Sequence, residues 1–157
     1  MGAVPEPQVR AFFDKLLPSA SELALLQAEA LFEQGKLEEA EQKLAEVKFD
    51  PDWEARIEAV KQGIAFARAG RSGPCEKELK EKLANNPADH DTRAALAALY
   101  GAKKRYREAM DELLEIIRRA KDWKDGEAKR QLLALFNLAG DDELVSEYRK
   151  KLARALY

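Results

Sequence analysis

The stretch Asp91-Thr92-Arg93-Ala94-Ala95-Leu96-Ala97-Ala98-Leu99-Tyr100-Gly101-Ala102, followed by Tyr106-Arg107-Glu108-Ala109-Met110-Asp111-Glu112-Leu113-Leu114, decides the fold. In both halves the apolar residues recur every three or four positions, which is the period of an amphipathic helix. The pattern predicts helices over about 91–102 and 106–120, joined by a connection short enough to fold them back on each other. Ala97 and Ala109 have a structural reason to be small: two helices approach closely only where no large side chain intervenes. Tyr100 and Leu113 are placed to fill the space beside them.

The same register extends upstream. Ala28 and Gly63 precede Ala97 at steps of 35 and 34, and Ala40 and Cys75 precede Ala109 at the same steps. Leu31, Phe66 and Tyr100 repeat as bulky residues of the first helices, and Leu44, Leu79 and Leu113 as those of the second. Gly35 and Gly70 fall where each hairpin would turn, and Pro51 and Pro87 near the repeat junctions. A period of about 34 residues built from helix–turn–helix units resembles the tetratricopeptide repeat. The resemblance implies an all-α superhelix of about three repeats. A fourth, degenerate hairpin from about Asp125 caps the stack; it keeps Gly140 but puts Val145 where the small residue belongs.

Between these landmarks, Pro5 opens a short helix whose residues Val9, Phe12, Phe13, Leu16 and Leu17 share a face, and Pro18 stops it. Ser19 or Ser21 caps the next helix, which runs to about Gln34. A return helix is expected over 37–47, the first helix of the next hairpin over 51–69 and its second from Pro74 to before Asn85-Asn86-Pro87, with 127–139 and 142–157 completing the series. No segment alternates in the manner of a strand.

Composition narrows the function. The 36% of charged residues nearly cancel to a net charge of −2, with a pI of about 5.7, so the basic face that nucleic acid requires is not expected. No apolar run approaches the roughly 20 residues that span a bilayer, and the N-terminus lacks the features of a signal peptide. One cysteine in the whole chain fits a reducing compartment. A cytoplasmic protein without a cofactor, a metal or a membrane partner is the expectation. Cys75, in the small-residue register, is read as a buried and inert packing residue. His90, in Ala88-Asp89-His90-Asp91, lacks the ligand set of a zinc site and is read as part of a solvated turn before a helix. With one histidine and no phosphate loop, the chain is not expected to be an enzyme. Trp123, between two hairpins, reads as a packing anchor.

The inner faces of the first helices are the candidate binding surface. Repeat one offers Glu22, Leu25, Leu26, Glu29 and Phe32 there; repeat two Ile57, Val60, Lys61, Ile64 and Ala67; repeat three Asp91, Ala94, Ala95, Ala98 and Gly101. No basic clamp for a C-terminal carboxylate stands among them. Leu25, Phe32, Ile57, Val60, Ile64, Ala94 and Ala98 instead make an apolar groove suited to an amphipathic helix or an unfolded segment. The alternative is a groove already filled, by the first helix with Phe12 and Phe13 or by a second copy of the chain in a homodimer. Arg149, Lys150, Lys151 and Arg154 form a candidate basic docking stripe on the last helix, or serve only to complement its dipole.

Both ends carry a second resemblance. The run from Asp122-Trp123-Lys124-Asp125-Gly126-Glu127 to Leu133, then Phe136, Gly140-Asp141-Asp142 and the tail from Tyr148 to Tyr157, resembles the C-terminal end of bacterial proteins that join a thioredoxin-like domain to a tetratricopeptide-repeat domain, sometimes called chaperedoxins. The segment from Gly2 to Pro18 is similar to the last helix of a thioredoxin domain. The strands and active-site loop of that domain are not in the sequence, which implies a piece of a longer protein. The implied division is residues 1–18 as the remnant helix and 19–157 as the repeat domain. The implied function is a chaperone or co-chaperone that holds unfolded clients and cooperates with Hsp70/GroEL-type chaperones. The alternatives are a scaffold docking one defined partner, or a domain that positions a thioredoxin redox centre.

Overall fold

The computed structural model describes residues 7, 10 and 17–157. The short helix expected around Val9 to Leu17, with Phe12 and Phe13, and the boundary at residue 18 fall at or outside the edge of that range. Among the described residues the regular elements are all helical. In chain order they are α1 (Ala20–Glu33), α2 (Leu37–Ala45), a 3-10 turn (Pro51–Trp53), α3 (Glu54–Ser72), α4 (Glu76–Asn85), α5 (His90–Ala102), α6 (Tyr106–Arg119), α7 (Glu127–Ala139) and α8 (Asp142–Leu156). The chain divides into two compact units, Met1–Asp50 and Pro51–Tyr157.

The first unit holds the hairpin of α1 and α2. Ser19 caps α1, its hydroxyl oxygen accepting the Glu22 N–H at 3.1 Å. Gly35, at φ +76°, ends it. There the Lys36 N–H reaches the Leu31 carbonyl at 3.0 Å and the Gly35 N–H the Phe32 carbonyl at 2.9 Å. This paired arrangement satisfies carbonyls that the end of a helix leaves open. Ala28 and Ala40, the small residues of the repeat, are fully buried.

The second unit is built around α5 and α6, which pack as the sequence pattern required. Its core runs from Phe66 through Leu79, Leu96, Tyr100, Met110, Leu113, Leu132 and Phe136 to Tyr148 and Leu152, with Trp123 packed against its edge. Asp89 caps α5 by accepting from the Thr92 N–H at 2.9 Å and the Thr92 hydroxyl at 2.7 Å. His90 is therefore the first residue of the helix rather than part of a turn before it. The α5–α6 turn repeats the α1–α2 turn atom for atom. The Arg105 N–H meets the Tyr100 carbonyl at 2.9 Å and the Lys104 N–H the Gly101 carbonyl at 3.0 Å, with Lys104 at φ +57° where repeat one has glycine.

The middle repeat departs from this scheme. Gly70, expected in a turn, lies inside α3, which continues to Ser72 and is longer than α1 or α5 by more than a turn. Cys75 is accordingly pushed out of the small-residue register. It precedes α4 as the capping residue, is exposed, and its N–H donates to the Glu78 carboxylate at 3.2 Å. The expectation of a buried cysteine is corrected by this extra turn. Leu79 and Leu83 take over as the buried residues of α4. Instead of forming a hairpin with α4, α3 lies against α5 and α7, and α4 packs on α5. Where α3 crosses α5 the backbones come so close that a Cβ on Gly70 would stand 2.6 Å from the Ala102 Cβ, and one on Gly101 3.0 Å from the Phe66 ring.

The last hairpin is loose, as a terminal repeat is expected to be: α8 packs on α6 more than on α7. Tyr148 anchors it. Its buried hydroxyl donates to the Asp111 carboxylate at 2.6 Å, and burial and then that carboxylate push its pKa up.

Candidate protein-binding surfaces

The apolar residues expected to line one groove have different fates. Leu25, Val60 and Ile64 are buried, so they are core rather than open surface. Phe32, Ile57, Ala94 and Ala98 are half-buried, and Ala94 and Ala98 pack against the core of the second unit. Within the second unit, the reason for Val60, Ile64, Ala94 and Ala98 is the position of α3. A helix lying against α5 and α7 uses up the inner face that an ordinary stack would leave open.

What stays open is a groove of about 410 Å³ between the N-terminal half of α3 and α7. Ala55 forms one wall, Leu133 and Ala134 the other, and Glu54, Glu58, Arg130 and Asn137 the rim. Leu133 keeps 43% of its surface exposed beside Leu132, which is fully buried. Gly126, at φ +77°, precedes α7 as its capping residue. Arg130 is pinned by the Asp125 carbonyl and the Glu127 carboxylate, each at 2.6 Å. Glu58 accepts from the Gln62 amide at 3.0 Å and faces Arg130 across the opening. Such a groove receives an aliphatic side chain between Ala55 and Leu133, with rim carboxylates placed for a neighbouring cation. None of these lining residues was marked by the repeat pattern, because α7 reads there as part of a cap. The signal was present all the same: in Gln131-Leu132-Leu133-Ala134 one helix face cannot bury both leucines.

The basic stripe is divided by the helix that carries it. Arg149 lies over the Phe136 ring at 5.9 Å, on the α7 side, and Lys150 is exposed. Lys151 and Arg154 lie on the α6 side, where they line a cleft with Arg118 and Ala155. Lys151 pairs with Glu147 at 2.7 Å and sits over the Tyr148 ring at 4.2 Å. The Lys151 ammonium and then the Arg107 guanidinium hold the Glu147 carboxyl below its usual range.

Neither surface assembles a reactive constellation. His90 is half-buried with its Nδ1 unpartnered, and among the described residues no three of His, Cys, Asp and Glu gather as a metal site would require. No helix among them is long and apolar enough to cross a membrane.

An all-helical chain whose hairpins α1–α2 and α5–α6 share one turn geometry 69 residues apart is a repeat scaffold of the kind that binds other proteins. A tetratricopeptide-repeat family model matches residues 69–157, and the chain belongs to that family. The match begins at the end of α3 and runs through α8, so it covers the second unit's core from Leu79 onward and leaves out Phe66. Members of the family mediate protein–protein interaction and are typically not enzymes. No curated protein matches the sequence significantly.

Proposed function

We propose that this chain is the polypeptide-binding domain of a thioredoxin-like chaperone or co-chaperone, holding apolar segments of client proteins in the groove between α3 and α7. The observation that carries the binding mode is Leu133, an exposed leucine opposite Ala55 in an open groove of the second unit. The thioredoxin link rests on the terminal resemblance alone, with residues 1–18 as the remnant helix. The same resemblance points to cooperation with Hsp70/GroEL-type chaperones, and the single cysteine is what supports a cytoplasmic setting.

Suppression of light scattering by a heat-aggregating client tests the reading. The chain in stoichiometric excess delays aggregation, and Leu133→Glu abolishes the delay while leaving the melting temperature within about 2 °C, as exposed positions tolerate. No delay from the unaltered chain would reject client holding. A second reading, a scaffold for one defined partner, draws on the fixed rim charges of Glu54, Glu58 and Arg130, which favour one sequence over many. It is chosen if affinity capture with the chain returns a single stoichiometric protein that Leu133→Glu loses.

A further inference from the structure

The outer side of the second unit carries a charge arrangement that the α3–α7 groove does not use. Arg118, in the last turn of α6, and Lys151 and Arg154 of α8 line one polar cleft. The three come together because α8 packs on α6, and because positions 147, 151 and 154 recur at helical spacing on the side of α8 that faces it. Two of the cations are already partly compensated. Arg118 lies 3.7 Å from Glu115, which Arg119 engages more closely at 2.6 Å, and Lys151 is held by Glu147. Arg154 has no carboxylate partner among the described residues. Next to the cleft, Lys121 donates to the Leu156 carbonyl at 2.8 Å and adds a further positive charge.

We infer that the α6–α8 cleft is a second docking site, which takes an acidic segment of a partner protein. Charge complementarity selects the occupant. Among the described residues the cleft is lined by three cations, Arg118, Lys151 and Arg154, and by Ala155, with no carboxylate in its wall; the nearest ones, Glu115 and Glu147, are each shared with another cation, Arg119 and Arg107. Arg118 and Arg154 present planar guanidinium groups, which match carboxylates in pairs of parallel hydrogen bonds. Glu147 does more than neutralise: it fixes Lys151 at the wall, so that cation is already in place when a ligand arrives. The neighbouring carboxylates and the short reach of the cleft disfavour a phosphate backbone, which needs a continuous basic track. The cleft lies between second helices of the hairpins, away from the inner face of α5 and α7 that α3 covers.

The test uses the whole chain and a fluorescein-labelled octaglutamate peptide, with binding read by anisotropy at 50 mM and 500 mM salt. The peptide binds at low salt and weakens at high salt, as screening of exposed charges requires. Arg118→Glu and Arg154→Glu each raise Kd by about tenfold or more. Lys129→Glu, an equal change of net charge on the exposed face of α7, leaves Kd within about twofold, and so does Leu133→Glu in the other groove. That last comparison separates this inference from the client-binding proposal, since each surface fails on its own variant. Melting curves of Arg154→Glu distinguish docking from a helix-dipole role, because the latter lowers the melting temperature and leaves Kd alone. Several results overturn the inference: no peptide binding, equal loss with Lys129→Glu, or tighter Arg154-dependent binding of an oligonucleotide of the same length. Self-association of the chain that Arg154→Glu abolishes would do so as well, since the cleft would then belong to a second copy.

Discussion

Glu76 shows how a single charged side chain fastens a helix that makes no hairpin of its own. At the start of α4, its carboxylate accepts from Lys80 at 2.7 Å, from the Tyr100 hydroxyl at 3.2 Å and from Arg105 at 2.9 Å. Arg105 also stacks over the Tyr100 ring at 4.4 Å. The Lys80 hydrogen bond is the largest cause holding the Glu76 pKa at about 2, against an ordinary 4.5; partial desolvation opposes it, and Tyr100 and Arg105 assist. A carboxylate whose folded pKa is depressed stabilises the fold above its unfolded value and loses that contribution as pH falls. The window for Glu76 therefore runs from about 4.5 down to about 2. Urea unfolding of the unaltered chain and of Glu76→Gln should show the variant less stable at pH 7, with the gap narrowing steadily below pH 4.5. A gap that stays constant from pH 7 to pH 3 would mean that the side chain acts by shape and not by charge. Because the groups are exposed, added salt should narrow the gap at neutral pH too.

At the level of the helix, the middle repeat shows what the sequence made legible and what it hid. The α5–α6 hairpin and both helices of the last hairpin lie within a residue or two of where periodicity put them, since Leu96, Tyr100, Leu113 and Leu132 report one buried face unambiguously. Gly70 did not, because glycine serves two incompatible purposes. It ends helices through left-handed backbone, as Gly35 does, but it also permits close helix crossing, and only the neighbour decides between them. Lys104 is the converse case, a left-handed turn residue with no glycine to announce it. The α3–α7 groove was hidden because it depends on which helix the N-terminal half of α3 lies against, and the sequence pattern does not give that neighbour. Gly70→Ala tests this account. Helix propensity alone would make alanine more stable by up to about 1 kcal/mol. The clash with the Ala102 Cβ, both atoms being fixed to backbone, costs about 1–3 kcal/mol. The net expectation is destabilisation, seen as a fall in denaturation midpoint, and Ala102→Gly in the same chain should cost less than the separate effects added together. A stabilised Gly70→Ala would place Gly70 in a turn or in open space and dismiss the crossing.

For the molecule as a whole, the question is how a repeat stack that loses one of its hairpins still holds together. In an ordinary array each unit rests on its neighbours, and stability is a sum of local terms. Here α3 is not spent on a hairpin with α4 but spans α5 and α7, so residues distant in sequence share one core, from Phe66 to Leu152. All members of that core lie within Pro51–Tyr157, and its links are of the same unit: Glu76 to Tyr100 and Arg105, Tyr148 to Asp111, and Arg93 to Glu112 at 2.7 Å. A chain of about 100 residues with a contiguous apolar core is long enough to fold alone. The expectation is that a fragment spanning Pro51–Tyr157 keeps its helical circular dichroism and melts in one cooperative transition. Tyr148→Phe in that fragment should lower its stability by about 1 kcal/mol, the ordinary worth of a hydrogen bond whose partner can still reach water. Cooperative unfolding that responds to Tyr148, at one end of the core, would show that α8 unfolds with α3 and α5 and does not fray separately. Were the fragment instead to melt gradually, with Tyr148→Phe affecting only the early part of the curve, the core would consist of independent repeats, and α3 would bind them without unifying them.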